Sequence, residues 1–193
     1  MESIRKLSIN TAIEGLCNRK ISDFESAARD RNPMIPDSME SELEITSEAF
    51  VNGGTLLSAV IEEFSYVAGS AHPLTTITTF NYSTTAYGVL DSISKLFVRE
   101  SGYMTFISNY CNKDLKLRAE KDGYDNISEM IDEGTAPDVK NYVAWYVQED
   151  TLHIVFNPYQ AGPYVMGIQY VSMPLSELLP YIDPKGPLEY MFR

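Results

Sequence analysis

Apolar and polar residues follow a helical period in the first part of the chain and alternate strictly from Glu42 onwards. Residues 10–30 place apolar side chains at helical spacing behind Asn10, a candidate N-cap, and this pattern predicts an amphipathic helix. Residues 31–40 contain two prolines without periodicity and indicate a linker. The alternation that begins at Glu42 is typical of a half-exposed strand.

Turn residues divide the following block into three strands. Asn52-Gly53-Gly54 tolerate positive φ and predict a hairpin turn after the first strand. A return strand is predicted over 56–66, and the loop 67–73 leads to a threonine-rich strand over 74–82. Three consecutive strands of this kind favour an antiparallel meander.

The second half mixes short helices with strands. Helices are predicted over 92–97, with Asp91 as the cap, over 103–117 and over 126–131. Both faces of residues 141–148 are apolar, which predicts a strand in the centre of a sheet. It is expected to form a hairpin with residues 152–156. A further strand over 169–173 and a short helix that starts at Pro174 end the pattern.

The pattern as a whole predicts an α+β fold in which an antiparallel sheet packs against helices. We expect an N-terminal helix, a β-meander, further helices and a C-terminal hairpin that carries a loop rich in Pro, Gly and Tyr. Residues 1–40 are interpreted as the N-terminal helix and linker of the same fold, 41–182 as the core and 183–193 as a tail. The length of 193 residues fits one large domain or two closely packed subdomains.

The charge of the chain narrows the range of partners. Against 27 acidic residues there are 15 basic ones, a formal net charge of −12. Phosphate contacts need clustered Lys and Arg, so nucleic acid is not expected as a partner. An acidic surface attracts a cationic partner, although it also serves solubility.

The absence of an export signal and the presence of two cysteines each leave two interpretations open. The sequence has no apolar run near the about 20 residues of a membrane span and no export signal. This fits both a chain without a leader and a chain whose leader or anchor has been removed. Cys17 and Cys111 either pair in an oxidising compartment or are buried thiols, and their apolar helical positions favour thiols.

The two histidines do not indicate a metal or catalytic site. His72 lies in a turn beside Pro73, but neither His153 nor the cysteines are placed to complete a zinc site with it. A ring that bonds the loop backbone is the simpler interpretation of His72. Ser70 precedes His72 by two residues, yet no strand–turn–helix elbow surrounds it.

Acidic pairs give no catalytic signature either. Glu62 and Glu63 are adjacent on a predicted strand and therefore point to opposite faces. We predict a protein that is not an enzyme, with no catalytic residue, no metal site and no cofactor.

The loop 157–164 is the most distinctive stretch of the chain. Two prolines and a glycine exclude it from a central strand, while Tyr159 and Tyr164 give it large, semi-polar side chains. A loop of this composition usually runs over the surface. The two rings therefore either form a recognition surface or fold back to cover the end of a sheet.

Two stretches resemble a known family in their order and spacing. The first is FSYVAGSAHP at 64–73 followed by FNY at 80–82, and the second is FNPYQAGPY at 156–164 with Gly167 and then MPLSEL at 173–178. Together they resemble the extracytoplasmic domain of RsiV-type anti-sigma factors, which sense lysozyme. They also resemble the region before the catalytic domain of PdaC-type peptidoglycan deacetylases. The resemblance covers residues 10–181.

The resemblance implies helices packed on an antiparallel sheet, a location outside the cytoplasm and a domain without enzymatic activity. This domain type also occurs alone in exported proteins and lipoproteins. In the lysozyme sensor, loops of the domain enter the active-site cleft of lysozyme. Carried over by motif, the candidate partner-binding residues are Gly69, Ser70, Ala71, His72 and Pro73, together with Tyr159, Gln160, Gly162, Pro163 and Tyr164.

The sequence departs from both groups of relatives. It shows neither the transmembrane segment and sigma-factor-binding region of the anti-sigma factors nor the deacetylase domain of the deacetylases. We therefore predict a monomeric, extracytoplasmic (periplasmic or cell-surface) binding domain of the bacterial envelope. The expected partner is a cationic protein such as lysozyme, and the alternative is peptidoglycan or another polysaccharide. Contact with a membrane is expected only through an anchor that this chain does not contain.

Overall fold

The computed structural model describes residues 2–36, 38–85 and 88–193, so Asp37 of the predicted linker lies outside the described residues. It confirms the α+β class and contains two antiparallel sheets. The strands of the first sheet are in the order β1-β2-β3-β4, and those of the second in the order β5-β6-β7. The elements are α1 (Glu2–Arg29), β1 (Glu42–Asn52), β2 (Leu56–Tyr66), β3 (Leu74–Ser83), β4 (Gly88–Val89), α2 (Tyr103–Lys121), α3 (Ser128–Gly134), β5 (Trp145–Gln148), β6 (Thr151–Phe156), β7 (Gln169–Pro174) and α4 (Leu175–Leu178).

The chain packs into two compact units, and each combines separate stretches of sequence. The first comprises Met1–Ser47 with Ile61–Thr76, and the second comprises Glu48–Val60 with Ile77–Arg193. The division of the chain into a helix and linker over 1–40, a core over 41–182 and a tail over 183–193 stays a prediction.

In the first unit, α1 is tied to β2 by an ion pair. Lys20 Nζ lies 2.6 Å from Glu63 Oε2, and both side chains are more than four-fifths buried. Glu62, the neighbour of Glu63, is exposed, as expected for adjacent strand residues.

In the second unit, the helices α2, α3 and α4 pack on one face of the β5-β6-β7 sheet. The helix α2 contributes Ile107, Cys111 and Leu115, the face predicted from the sequence, and all three are fully buried. The opposite face of the sheet is covered by a smaller cluster around Ile77 and Val155. The second sheet therefore has apolar contacts on both sides.

The strand β5 differs from the prediction. Residues 139–142 form a 3-10 turn, the strand covers only Trp145–Gln148, and it lies at the edge of its sheet, so the predicted central position was wrong. The buried Tyr142 hydroxyl donates a hydrogen bond to Thr135 O over 2.6 Å. This bond holds the Tyr142 side chain in the part of the core that faces the helices. The residues of β5 are apolar on both faces because both faces of their sheet are covered.

Side chains of the first sheet close the open edge of β5. The amide N–H and carbonyl of Trp145 and of Val147 each bond to a polar side chain rather than to a neighbouring strand. These four bonds measure 2.8–3.1 Å and are made by Asn52, Ser58, Thr79 and Asn81. A buried main-chain edge without partners would cost about 1–3 kcal/mol per group. The four bonds therefore join the two sheets within this unit.

The opposite edge, β7, is covered in a similar way by α2. Arg118 Nη2 donates to Tyr170 O over 2.9 Å, and the Tyr110 hydroxyl donates to Ser172 O over 3.3 Å. Both edges of the small sheet are therefore occupied by side chains of its own unit, which protects it from pairing with another strand.

Two local details also differ from expectation. The predicted helix over 92–97 is a 3-10 turn whose cap is Ser92, not Asp91. Asp91 instead pairs with Lys95 over 2.9 Å.

The C-terminal residues, interpreted from the sequence as a tail, are part of the second unit. Leu188 is fully buried in its core, and Pro187 O accepts a hydrogen bond from Thr55 Oγ1 over 3.1 Å.

We predict that Asn81→Ala lowers the free energy of unfolding by about 2–3 kcal/mol, because it leaves Trp145 O and the Ser58 hydroxyl buried without their partner. Chemical denaturation measures the difference. The matched control is Asn109→Ala, which truncates an exposed asparagine on α2 and should change stability by less than about 0.5 kcal/mol. Equal effects in the two variants would show that the side-chain bonds to β5 do not stabilise the fold.

Candidate functional site

The loop 157–167 leaves the end of β6 and is fixed there by Asn157. Its side-chain Oδ1 accepts from Ile77 N over 2.7 Å, and its Nδ2 donates to Ile77 O over 2.9 Å. This pair of bonds reproduces the exchange between opposed residues of an antiparallel ladder. The side chain of Asn157 thus connects the start of the loop to β3.

A second anchor is Gln160. Its Oε1 accepts from Asn157 N over 3.3 Å, its Nε2 donates to Asn141 O over 2.7 Å, and its main-chain N–H donates to Asn157 O. The end of α3 lies directly against it, because a Cβ on Gly134 would be only 2.1 Å from Gln160 O. Ala161 and Gly162 follow and are buried. The middle of the loop is therefore held on both sides.

Tyr159 projects from between these two anchors. Its backbone has φ +70°, a conformation that costs a non-glycine residue about 1–2 kcal/mol, and 56% of its surface is exposed. Its ring stacks on the half-buried Tyr164, with centroids 5.8 Å apart and planes at 29°. The loop therefore presents an aromatic pair and does not use Tyr159 to cover the end of a sheet.

The other predicted loop, residues 69–73, belongs to the first unit. A turn bond from Ser70 N to Val67 O shapes it, and Gly69 has φ +91° with the Ile35 side chain where a Cβ would lie. His72 is exposed, and its Nδ1 is 2.9 Å from Pro73 O.

The predicted site residues divide into two kinds. Tyr159 and, partly, Tyr164 are available at the surface, and so are the residues of the first loop from Gly69 to His72. Gln160 and Gly162, in contrast, hold the second loop in place. Sequence reasoning missed the residues that support this loop: Asn157, Asn141 and Gly134.

Comparison with known proteins identifies the region that carries this loop. The family model described as "Protein of unknown function (DUF3298)" matches residues 94–176. Residues 94–176 of this chain thus match the DUF3298 family. The match contains the loop 157–167 with both of its anchors, whereas residues 69–73 lie outside it.

A curated relative and two solved structures extend the comparison. The peptidoglycan-N-acetylmuramic acid deacetylase PdaC of Bacillus subtilis (strain 168) is 24% identical over 170 residues, which are 88% of this chain and 35% of the deacetylase. The chain thus spans about a third of the length of that protein.

Both solved structures are DUF3298 family proteins. The one from Bacteroides fragilis has a TM-score of 0.59 at 19% identity and covers 96% of this chain and 72% of its own. The one from Pseudomonas aeruginosa has a TM-score of 0.55 at 16% identity and covers 77% of this chain and 66% of its own. At these identities the likeness establishes the fold alone.

His153 and Cys111 are further side chains with reactive groups, and both lie in packed surroundings. His153 stacks on Tyr146 with centroids 4.5 Å apart, its Nδ1 lies 2.9 Å from Ser172 Oγ, and burial lowers its pKa. Cys17 and Cys111 are both free thiols, and burial raises the pKa of Cys111 to about 12, which keeps it protonated and unreactive at neutral pH.

Metal-binding groups and membrane-spanning helices are absent from the described residues. No group of three or more His, Cys, Asp and Glu residues there is arranged to hold a metal ion. No helix within 2–36, 38–85 or 88–193 combines the length and apolar character of a membrane span.

We predict that Gly134→Ala destabilises the second unit by about 1–3 kcal/mol, because the new methyl group must displace the main chain at Gln160 and Ala161. The matched control is the same substitution at Gly15 in α1, where the nearest atom to the Cβ position is Arg19 Nη1 at 4.0 Å, and it should gain about 0.5–1 kcal/mol. Chemical denaturation of both variants measures the expected loss of stability in the first and the expected gain in the second. A neutral Gly134→Ala variant would show that the loop is not held closely against α3.

We also predict a pH dependence of stability from His153. Its folded pKa is lower than its ordinary value, so the neutral ring favours the folded state above about pH 6.5, and this contribution is lost as the pH falls toward the folded pKa. Melting temperatures at pH 7.5 and pH 5 should differ less in His153→Phe than in the natural protein. The control His72→Phe removes a histidine from an exposed loop. An identical pH response in natural protein and His153→Phe would contradict the prediction.

Proposed function

We propose that this chain is a non-enzymatic binding domain of the bacterial cell envelope and that it contacts its partner through the loop 157–167. The observation that supports this most is the exposed Tyr159, which stacks on Tyr164 from a backbone conformation unfavourable for tyrosine. Half-buried anchors at Asn157 and Gln160 maintain this conformation. Rigid tyrosines on a pre-ordered loop are typical of protein recognition, because little entropy is lost when they bind.

The partner that we propose is a cationic protein outside the cytoplasm, and a lysozyme-like muramidase is the sharpest candidate. The net charge of −12 favours encounter with a basic protein. The motif resemblance to the lysozyme-sensing anti-sigma factors points to the same class of partner. Residues 69–73, with the exposed His72, are a second proposed contact in the first unit.

A second candidate ligand is peptidoglycan or another polysaccharide. It is favoured by the similarity to PdaC, whose name gives a peptidoglycan sugar as its substrate. The activity in that name is not transferred, because this chain spans 35% of the deacetylase. In this alternative, Tyr159 would stack on a sugar ring.

We predict that Tyr159→Gly and Tyr164→Ala each weaken binding to a c-type lysozyme at least about tenfold, measured by isothermal titration calorimetry at low salt. Tyr159→Gly should leave the melting temperature unchanged or raise it, since glycine accepts the positive φ at this position. The control Val143→Ala truncates an aliphatic side chain of the same unit that is 68% exposed, and it should bind like the natural protein.

The ionic strength separates the two ligands. Binding to the cationic protein should weaken steeply between about 50 and 500 mM salt, because opposite charges steer it. Binding to peptidoglycan fragments through ring stacking should change much less. Unchanged lysozyme affinity in both tyrosine variants would show that this loop does not contact lysozyme. No lysozyme binding at either salt concentration would exclude a c-type lysozyme as the partner.

A further inference from the structure

The outer edge of β1 is unpaired in the first unit. β1 is the first strand in the order of its sheet, so it pairs with β2 on one side only. Over residues 42–47, which belong to the first unit, no other strand and no side chain of the described residues bonds to the opposite edge. Every second residue of an edge strand directs its main-chain N–H and C=O away from the neighbouring strand. This stretch therefore presents main-chain groups that could pair with a further strand.

The edges of the β5-β6-β7 sheet are closed, in contrast. Four side chains bond to the edge of β5, and Arg118 and Tyr110 bond to that of β7. Natural proteins also protect an exposed edge by keeping it short or by placing proline or lysine on it. β1 has 11 residues and contains neither proline nor lysine. It is therefore long enough, and sufficiently free of such residues, to accept another strand.

One face of this edge strand is acidic. Glu42, Glu44 and Thr46 share a face of β1 and are exposed, whereas Leu43 and Ile45 on the other face are half-buried. Glu42 and Glu44 make no ion pair with any basic side chain of the described residues. Opposite charges that face each other across two strands stabilise the pairing, and like charges destabilise it. The edge therefore favours a strand that carries cations on this face.

The start of β1 is held in place within the first unit. Ser41 Oγ accepts a hydrogen bond over 2.9 Å from the main-chain N–H of Ala68, a buried residue. Arg31 Nη1 donates to Met39 O over 3.0 Å shortly before the strand begins. The bond to Ala68 also places the start of the strand beside residues 69–73, the second proposed contact. An edge that is already ordered loses little entropy when it binds.

We propose that β1 binds an extended segment of the cationic partner as an additional strand, with lysine or arginine side chains of that segment facing Glu42 and Glu44. The inference rests on the proposed function in one respect, namely that the partner is cationic. Residues 42–47 offer a length of about 20 Å, because a strand rises about 3.3 Å per residue. In complexes of this kind the main-chain bonds supply affinity and the alternate side chains supply specificity.

A second copy of this chain suits the edge less well than a cationic segment. Pairing two β1 strands would bring their rows of carboxylates together, and each chain carries a net charge of −12. The acidic face thus selects against self-association while it attracts a basic strand.

The test uses a short peptide, so that it does not depend on the identity of the partner. An acetylated and amidated heptapeptide that alternates threonine and lysine is titrated into the ¹⁵N-labelled full chain. It should cause saturable shifts at the amides of residues 42–47 and slow the hydrogen exchange of every second one, because only these gain a main-chain bond. The same peptide with N-methylated main-chain amides keeps its charges but cannot form a ladder, so it should slow none of them.

Variants then assign the binding to the acidic face of β1. The double variant Glu42→Gln with Glu44→Gln should weaken the peptide about three- to twentyfold, the range for two exposed ion pairs. Its matched control is Asp23→Asn with Glu25→Gln, which removes two exposed carboxylates from α1 and should bind like the natural protein. Thr46→Lys places a cation at an exposed position of the acidic face, so the chain should fold normally while its affinity for the peptide falls.

Three results would overturn the proposal. Equal exchange protection with the peptide and its N-methylated form would reduce the binding to charge attraction. Unchanged affinity in the double variant of Glu42 and Glu44 would remove the acidic face. Slow exchange at the outer amides of β1 without peptide, together with a dimer in sedimentation, would show that a second copy occupies the edge.

The failure of this inference can be distinguished from the failure of the proposed function. Loss of lysozyme binding in the Tyr159 and Tyr164 variants, combined with no peptide-dependent protection of β1, would retain the loop and refute the edge. Protection of β1 by the peptide in a chain that binds no lysozyme would support the edge and refute that partner.

Discussion

The second unit depends on the four side-chain hydrogen bonds that close the edge of β5. A short strand with a buried and unpaired main-chain edge would be unstable. Because Thr79 and Asn81 lie two residues apart on β3, they point in one direction and reach the same residue, Trp145. The main-chain N–H and carbonyl of Ile77, two residues before Thr79 on the same strand, bond to the side chain of Asn157. The same strand thus fixes both the β5–β6 hairpin and the loop that follows it.

This arrangement explains how an exposed tyrosine can keep an unfavourable backbone conformation. The cost of φ +70° at Tyr159 is small beside the bonds made by Asn157 and Gln160 on either side of it. A partner that binds the two rings therefore meets a surface that is already ordered. The order comes from the sheet, and the function that we propose uses it without requiring a change in the fold.

The sequence alone predicted the elements whose causes are local. The bounds of β2 and the turn at Gly53 and Gly54 are as expected, since alternation and positive φ are read directly from neighbouring residues. The strand predicted over 141–148 was wrong in its start and in its central position. Both depend on tertiary contacts, namely the hydrogen bond of Tyr142 to Thr135 and the side chains that cover the edge of β5. For the same reason the anchoring role of Gln160 could not be predicted, and its assignment as a contact residue stays a prediction. Its role as an anchor depends on Gly134, 26 positions earlier in the sequence and adjacent only in space.

Positive φ at a non-glycine residue does not mark a functional site by itself. Glu100, Asn126, Glu149 and Tyr159 all have it, and asparagine tolerates it with little strain. Tyr159 differs because its ring is large and exposed while its neighbours are anchored, so the conformation holds the ring in a defined position. The strained conformation of Tyr159 thus gains significance from the anchored residues on either side of it, Asn157 and Gln160.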